Sequence, residues 1–303
     1  MKGGLAALVA LMLMAGVAGA QERVTLGWGR MFSNDGIGDG QDRWRTGAYT
    51  VSRVRGPDWT GALPDTFGEI LEFRFRADII APSNLTAPAP GDRRYAGVLS
   101  FGLHTHFDWK GLDTSLGADL VVTGPQTGLG RLQTEIHELL DAPIPMVLGN
   151  QIADGVHPTL VAEVGRSFEL GGGAVLRPYA EAQAGLETFV RFGADFSLGG
   201  YDNGALMLRE TTTGQRYRAV AGDIEPGFSF TLGGDIAHVW DSVLLPETGA
   251  AELSEERHRL RAGVAWQGAR GAAVFYGLTY LSPEFEGQSE GQFIGSLNVN
   301  LNF

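Results

Sequence analysis

The chain has 303 residues, a formal net charge of −12 and no cysteine. Its acidic balance and lack of any basic stripe exclude nucleic acid as a partner. The absence of cysteine excludes disulfide bracing, a thiol nucleophile and a thiolate metal site.

The first element is a leader. Met1-Lys2 gives a basic start, Leu5 to Val17 an apolar run, and Ala18-Gly19-Ala20 a small-residue cleavage site. This pattern predicts a secretory signal peptide over 1–20 and a single domain over 21–303. The apolar run is shorter than the ~20 residues a spanning helix needs, and no helix-length apolar segment follows it.

Beyond the leader the period is two. In 69–80, Leu71, Phe73, Phe75, Ala77 and Ile79 alternate with Glu72, Arg74, Arg76 and Asp78. Segments 97–110 and 188–198 repeat the pattern, with Phe101 and Trp109 against His104 and Asp108, and Phe192 and Phe196 against Arg191 and Asp195. The C-terminus closes on Leu297, Val299, Leu301 and Phe303 alternating with Ser296, Asn298, Asn300 and Asn302. An alternating strand that ends on a terminal Phe is the form outer-membrane barrels use.

Strands are predicted near 23–32, 44–55, 69–80, 94–109, 112–123, 157–169, 173–184, 186–198, 226–241, 256–267, 271–282 and 292–303. A soluble sandwich would show the same alternation with the apolar face turned inward. Three details favour the membrane. The polar faces carry both signs of charge, which can pair across a lumen. Many segments reach the ~10 residues of a tilted spanning strand. Trp28, Tyr95, Trp109, Trp240 and Trp266 sit near segment ends, where an interfacial girdle falls. The expected fold is all-β: a transmembrane antiparallel β-barrel of about 12 strands, with a short helix in a long outer loop.

Lys110-Gly111, Gly171-Gly172-Gly173 and the Gly268–Gly271 stretch then become periplasmic turns. Segments 33–43, 81–93, 124–156, 242–255 and 283–291 become outer loops. Residues 199–225 make an unusually long periplasmic connection, expected to hold a misplaced strand or strand extensions beyond the membrane. In the longest outer loop, Leu129, Leu132, Ile136, Leu139 and Leu140 recur at helical spacing until Pro143. That stripe is expected to pack on the barrel rim. Gln133 and His137, four residues apart, then turn together toward a cleft.

Several residues could carry chemistry. His137 can act as a general base, because imidazole titrates near neutral pH. Asn34, Asp35, Asp39 and Asp42 either hold a hard cation or form an Asp/Gly-rich turn. His104 and His106 share a strand face and either bind metal or line the lumen. No Gly-x-Ser-x-Gly elbow is present, so a serine nucleophile has little support.

These pieces together resemble the outer-membrane lipid A 3'-O-deacylases, the LpxR-type family. The likeness runs through Asn34-Asp35, through Asp42, Arg43, Thr46 and Gly47, and through ADIIAPS at 77–83 and GDRRYAG at 91–97. It continues through Gly124, Pro125, Gln133 and His137, RPYAEAQAG at 177–185 and PEFEGQ at 283–288. It implies a site between the barrel wall and the long-loop helix, and calcium-dependent removal of the 3'-linked acyloxyacyl group of lipid A. By the same resemblance His137 is the base, Asn34, Asp35, Thr46 and Gln133 line the site, and Asp35 and Asn34 hold Ca2+. An acidic residue is expected beyond the histidine, with Asp141 the nearest candidate. Arg93, Arg94 and Arg131 are expected in outer loops, within reach of lipid A phosphates. The expected protein is a monomer in outer-membrane lipid, with lipopolysaccharide as substrate. The alternatives are a passive or structural barrel, a barrel phospholipase, or a soluble periplasmic binding protein.

Overall fold

The computed structural model describes residues 23–300. The expected signal peptide at 1–20 and the terminal Phe303 lie outside the described residues.

The chain runs through β1 (Val24–Asn34), β2 (Trp44–Gly56), β3 (Ile70–Ala81), β4 (Ala96–Asp108) and β5 (Asp113–Thr123) to a helix, α1 (Leu129–Leu140). Then come β6 (Gly155–Gly165), the short β7 (Phe168–Gly171), β8 (Ala174–Ala184), β9 (Glu187–Leu198), and the pair β10 (Leu206–Arg209) and β11 (Arg216–Val220). β12 (Gly227–Ser242), β13 (Glu256–Gln267), β14 (Ala273–Leu281) and β15 (Gln292–Asn300) complete it.

Twelve of these strands pair antiparallel and close into a barrel. β1 meets β15 at Phe32–Leu297, and β8 meets β6 at Leu160–Ala184. The expected strand positions agree to within a few residues. Both described ends of the chain lie at the end with the short turns, and the long loops gather at the other, the usual outer-membrane arrangement. Among the described residues no helix is long and apolar enough to cross a membrane.

The faces sort as a barrel in lipid requires. Phe73, Phe101, Leu160, Phe192, Ile236 and Leu260 point outward and are exposed. Inside, charges pair at short range: Arg74 with Glu72 at 2.6 Å, Arg76 with Asp78 at 2.8 Å and Arg191 with Glu181 at 2.7 Å. Trp28, Trp109, Trp240 and Trp266 are exposed near strand ends, as a girdle should be. Tyr95 departs from that expectation. It is 0% exposed, beneath the long outer loop beside Ala81, Leu85 and Val147.

The long periplasmic connection is neither a wall strand nor an extension below the membrane. It climbs into the lumen as the β10–β11 hairpin. Leu206, Leu208, Tyr217 and Ala219 pack there on Met31, Val54, Ile70 and Phe275, which the barrel turns inward. Gly29 makes room, since a Cβ there would lie 2.7 Å from the Tyr217 ring. Higher up, Arg209 reaches Glu163 and Asp195, both at 2.8 Å. Thr212 donates to Asp78 at 3.3 Å and Gln215 to Thr279 at 3.2 Å. A cavity of about 700 Å³ remains on the periplasmic side, bordered by Trp59, Asp113, Arg177 and Arg216.

His104 and His106 face this interior, each tied to its own carboxylate. His104 pairs with Asp119 at 2.9 Å and His106 with Glu72 at 2.8 Å. Their role is lumen-lining.

At the outer mouth, Arg45, Arg93 and Arg257 converge on Glu284, and Arg45 and Arg257 also reach Glu187. Burial pushes the Glu284 carboxyl up, but the three guanidinium groups outweigh it and hold it well below the usual range. Arg93 is therefore buried inside the mouth and does not reach an external phosphate. Hairpin and charge cluster together block the lumen above that cavity. In planar bilayers the protein should show no steady conductance, and a variant in which a short turn replaces residues 201–224 should conduct. Equal silence in both would refute a plugging role for the hairpin.

Candidate active site

The site is built on one row of residues across four strands. Asn34 pairs with Gly47, Gly47 with Ile79, and Ile79 with Gly97. All four face outward, because their row continues the alternation of Phe32, Tyr49 and Phe101, which are exposed. Two of the four are glycines, so the row forms a trough on the outside of the wall. α1 lies over it. A Cβ on Gly97 would stand 2.5 Å from Thr127 Oγ1 and 3.1 Å from Leu129 Cβ. Gly124 has φ +91 and touches the backbone of Ala153 and Asp154, which lets the loop turn over the rim.

The helix sits the other way round from the packing its stripe predicts. Leu129, Gln133 and His137 are its buried residues. Leu132, Ile136, Leu139 and Leu140 are exposed. The polar pair turns to the wall, as expected, but the apolar stripe does not pack on the rim.

A local irregularity aims the wall residues at the helix. Trp44 adopts φ +50, a left-handed conformation that costs a non-glycine residue energy. The ladder between β2 and β3 then slips between Arg45 and Gly47, a bulge at Thr46. Bulges re-aim side chains, and here the Thr46 hydroxyl is brought to Asp35 at 3.2 Å and to Asp42. The Trp44 ring, buried among Leu245, Ala251 and Phe285 and covered by the Arg43 guanidinium at 4.3 Å, anchors the bend. Asn34 caps the turn after β1. It accepts from Gly36 N at 2.8 Å and donates to Thr46 O at 2.7 Å.

Asp42 is the meeting point. Its Oδ2 is 3.1 Å from His137 Nε2, and its Oδ1 is reached by Thr46 and, at 3.5 Å, by Gln133 Nε2. On the far side of the ring, His137 Nδ1 lies 2.7 Å from Pro143 O. A carbonyl only accepts, so Nδ1 carries the hydrogen and Nε2 is the working nitrogen.

Asp35 lies beneath, 1% exposed. It accepts from Arg43 N at 2.8 Å, from Thr46, and from Gln292 Nε2 at 3.3 Å. Burial pushes its carboxyl up to about 8, and the charges of Asp42 and Asp39 add to the rise. Gln133 Oε1 is buried with no hydrogen-bond partner. Among the described residues no three His, Asp or Glu side chains form a ready metal cage. The donor set is nevertheless all hard oxygen, with the buried Asp35, Asp42 and an orphaned Gln133 amide oxygen, while Asp39 is engaged by Arg43. That set fits a hard cation such as calcium, which accepts amide and carbonyl oxygens as readily as carboxylates.

The family described as outer membrane protein LpxR matches residues 5–303. The chain belongs to the LpxR family. The solved structure of LpxR from Salmonella typhimurium shares the fold, with a TM-score of 0.75 at 20% identity, covering 91% of this chain and 100% of that one. The beta domain of the Bordetella autotransporter Brka and an outer membrane channel from Pseudomonas putida F1 are each 13% identical, with TM-scores of 0.44 and 0.45. They cover 91% and 93% of this chain and 99% and 97% of their own. No curated protein matches the chain. As an LpxR-family barrel the protein resides in the outer membrane of a Gram-negative bacterium.

In this LpxR-family chain the five expected site residues, Asn34, Asp35, Thr46, Gln133 and His137, converge. Asp141 does not join them. It is an exposed helix C-cap at φ 54, and the carboxylate that meets His137 is Asp42, from the first loop. Sequence reasoning placed Asp42 among possible cation ligands but not at the centre. It missed Gln292, which ties Asp35 to the β2 backbone through Arg43 O at 2.6 Å and Arg45 N at 3.1 Å. A glutamine opening a strand gives no signal of that kind.

Gly97→Val should lift α1 from the wall without harming the barrel. We expect faster trypsin cleavage after Arg131, with heat-modifiable migration on gels unchanged. Unaltered cleavage would mean that the glycine trough does not seat the helix.

Proposed function

We propose that the protein is an outer-membrane esterase that removes the 3'-linked acyloxyacyl group of lipid A. The observation that carries this reading is the buried Gln133–His137 pair facing Asp42, Thr46 and Asp35 on the outward side of the wall. A base placed there meets a lipid from the outer leaflet, not a solute in the lumen. The blocked lumen also argues against a passive channel.

In this reading His137 Nε2 takes a proton from water, and the water attacks the ester carbonyl. The Nδ1–H bond to Pro143 O fixes the tautomer and the ring orientation. Asp42, whose Oδ2 lies 3.1 Å from Nε2, orients that water and then balances the imidazolium. Gln133, one turn earlier, holds Asp42 in place. The Asn34 amide, with one N–H on Thr46 O, keeps a second N–H for the developing oxyanion, and such a donor is worth on the order of 3 kcal/mol. Asp35 and Asn34 would hold calcium, with the unpaired Gln133 Oε1 and Asp42 as further oxygens. Bound there, the cation would polarise the ester carbonyl and neutralise negative charge. The Thr46 hydroxyl is engaged with the Asp35 and Asp42 carboxylates, so it positions those acids and is not a nucleophile.

The test is the lipid A profile of cells that express the wild type or His137→Ala. Mass spectrometry should show loss of one acyloxyacyl unit with the wild type only. In purified form His137→Ala should lose about 10²–10⁴-fold in rate. Stripping calcium with a chelator should abolish the wild-type reaction, and adding calcium back should restore it. Unchanged acylation in wild-type cells supplied with calcium would leave a structural barrel as the better reading. Full activity after chelation would remove the cation from the scheme.

A further inference from the structure

α1 presents three sectors, and only one of them is explained by the site. Leu129, Gln133 and His137 face the wall. Arg131, Glu135 and Glu138 form an exposed polar sector. Leu132, Ile136, Leu139 and Leu140 form a third, at spacings that place them side by side. Leu139 is 84% and Leu140 69% exposed. The segment that follows adds Ile144 and Met146, the latter 72% exposed. Six large apolar side chains on one short helix and its exit make a patch that a water-facing loop does not carry without a partner.

The position of the helix identifies that partner. α1 rests on the outside of the wall, with Leu129 against Gly97, whose row with Ile79 faces outward. The next outward row toward the membrane is Phe32, Tyr49, Ala77, Leu99, Val122 and Val156, paired strand to strand in that order. Two residues of strand separate the rows, about 7 Å. The belt the barrel presents to lipid therefore reaches the foot of the helix without a break. A helix with one apolar and one charged side is also the usual form of an element lying in a membrane interface.

We infer that α1 is an interfacial helix, with Leu132, Ile136, Leu139, Leu140, Ile144 and Met146 seated in the acyl-chain layer of the outer leaflet as an extension of the strand belt. The inference rests on the outer-membrane barrel and not on the esterase reading. It holds equally for an inactive protein. It also gives the cleft its opening: the lipid-seated sector adjoins the wall-facing one, so the gap between α1 and the wall faces the leaflet.

The chain has no cysteine, so single labels are clean. Leu132→Cys, Ile136→Cys, Leu139→Cys, Arg131→Cys, Glu135→Cys and Glu138→Cys would each carry a nitroxide in full-length protein reconstituted in phosphatidylcholine vesicles. Power saturation then compares collision with dissolved oxygen and with a water-soluble nickel chelate. Positions 132, 136 and 139 should favour oxygen several-fold, like a reference label at Phe101 in the belt. Positions 131, 135 and 138 should favour nickel. All six sites are exposed, so labels need not disturb packing, and three positions per sector guard against one perturbed variant. Nickel preference at 132, 136 and 139 in vesicles would overturn the inference. So would protection of those three from both reagents, which would indicate a protein partner.

Discussion

A strand in hydrocarbon finds no water for its N–H and C=O groups, so each must pair with a neighbouring strand and the sheet must close on itself. That constraint organises this molecule. Closure turns the polar face of every strand inward, and the interior then holds many charges at low effective dielectric. Charges there persist only when paired and hydrogen-bonded. The wall supplies part of the pairing, as in Arg191–Glu181. The β10–β11 hairpin supplies more, with Arg209 bridging Glu163 and Asp195. Hairpin and wall complete each other, and the passage through the barrel is blocked. The candidate site lies instead at the rim, over the glycine trough of Gly47 and Gly97 on the outer surface.

The period-two pattern was legible because lipid on one side and lumen on the other force strict alternation along each wall strand. β10 and β11 were not legible for the same reason. A hairpin inside a barrel is surrounded by protein on both faces, so Leu206, Leu208 and Arg209 on one short strand are all buried and no alternation survives. Tyr95 was misread because an aromatic near a strand end suits a girdle or a buried prop equally well, and only the loop folded over it decides.

The candidate site divides the same way. Gln133 and His137 were readable as a pair because helical spacing alone puts them on one face. Their neighbours in space come from the first loop, brought across by the Trp44 bend and the bulge at Thr46, features of backbone geometry rather than of residue type. Asp42 illustrates this. Chain proximity favours Asp141 as the partner of His137, yet Asp141 caps the helix in a left-handed conformation and points away. Ninety-odd residues of intervening chain separate the actual partner, a gap closed only by the fold.

The misplaced apolar stripe of α1 follows from the constraint that closes the barrel. In water an amphipathic helix buries its apolar side and exposes its polar one. A barrel in lipid inverts that rule for its strands, and a helix lying on the outside of the wall falls under the same inversion. Gln133 and His137 turn to the wall, where Asp42 meets both, and the leucines of the helix face the solvent the strands face. The 3.6-residue period then links the two environments rigidly. The depth at which Leu132 and Leu139 settle sets the height at which Gln133 and His137 are held against the wall, because the helix backbone that carries all four moves as one body.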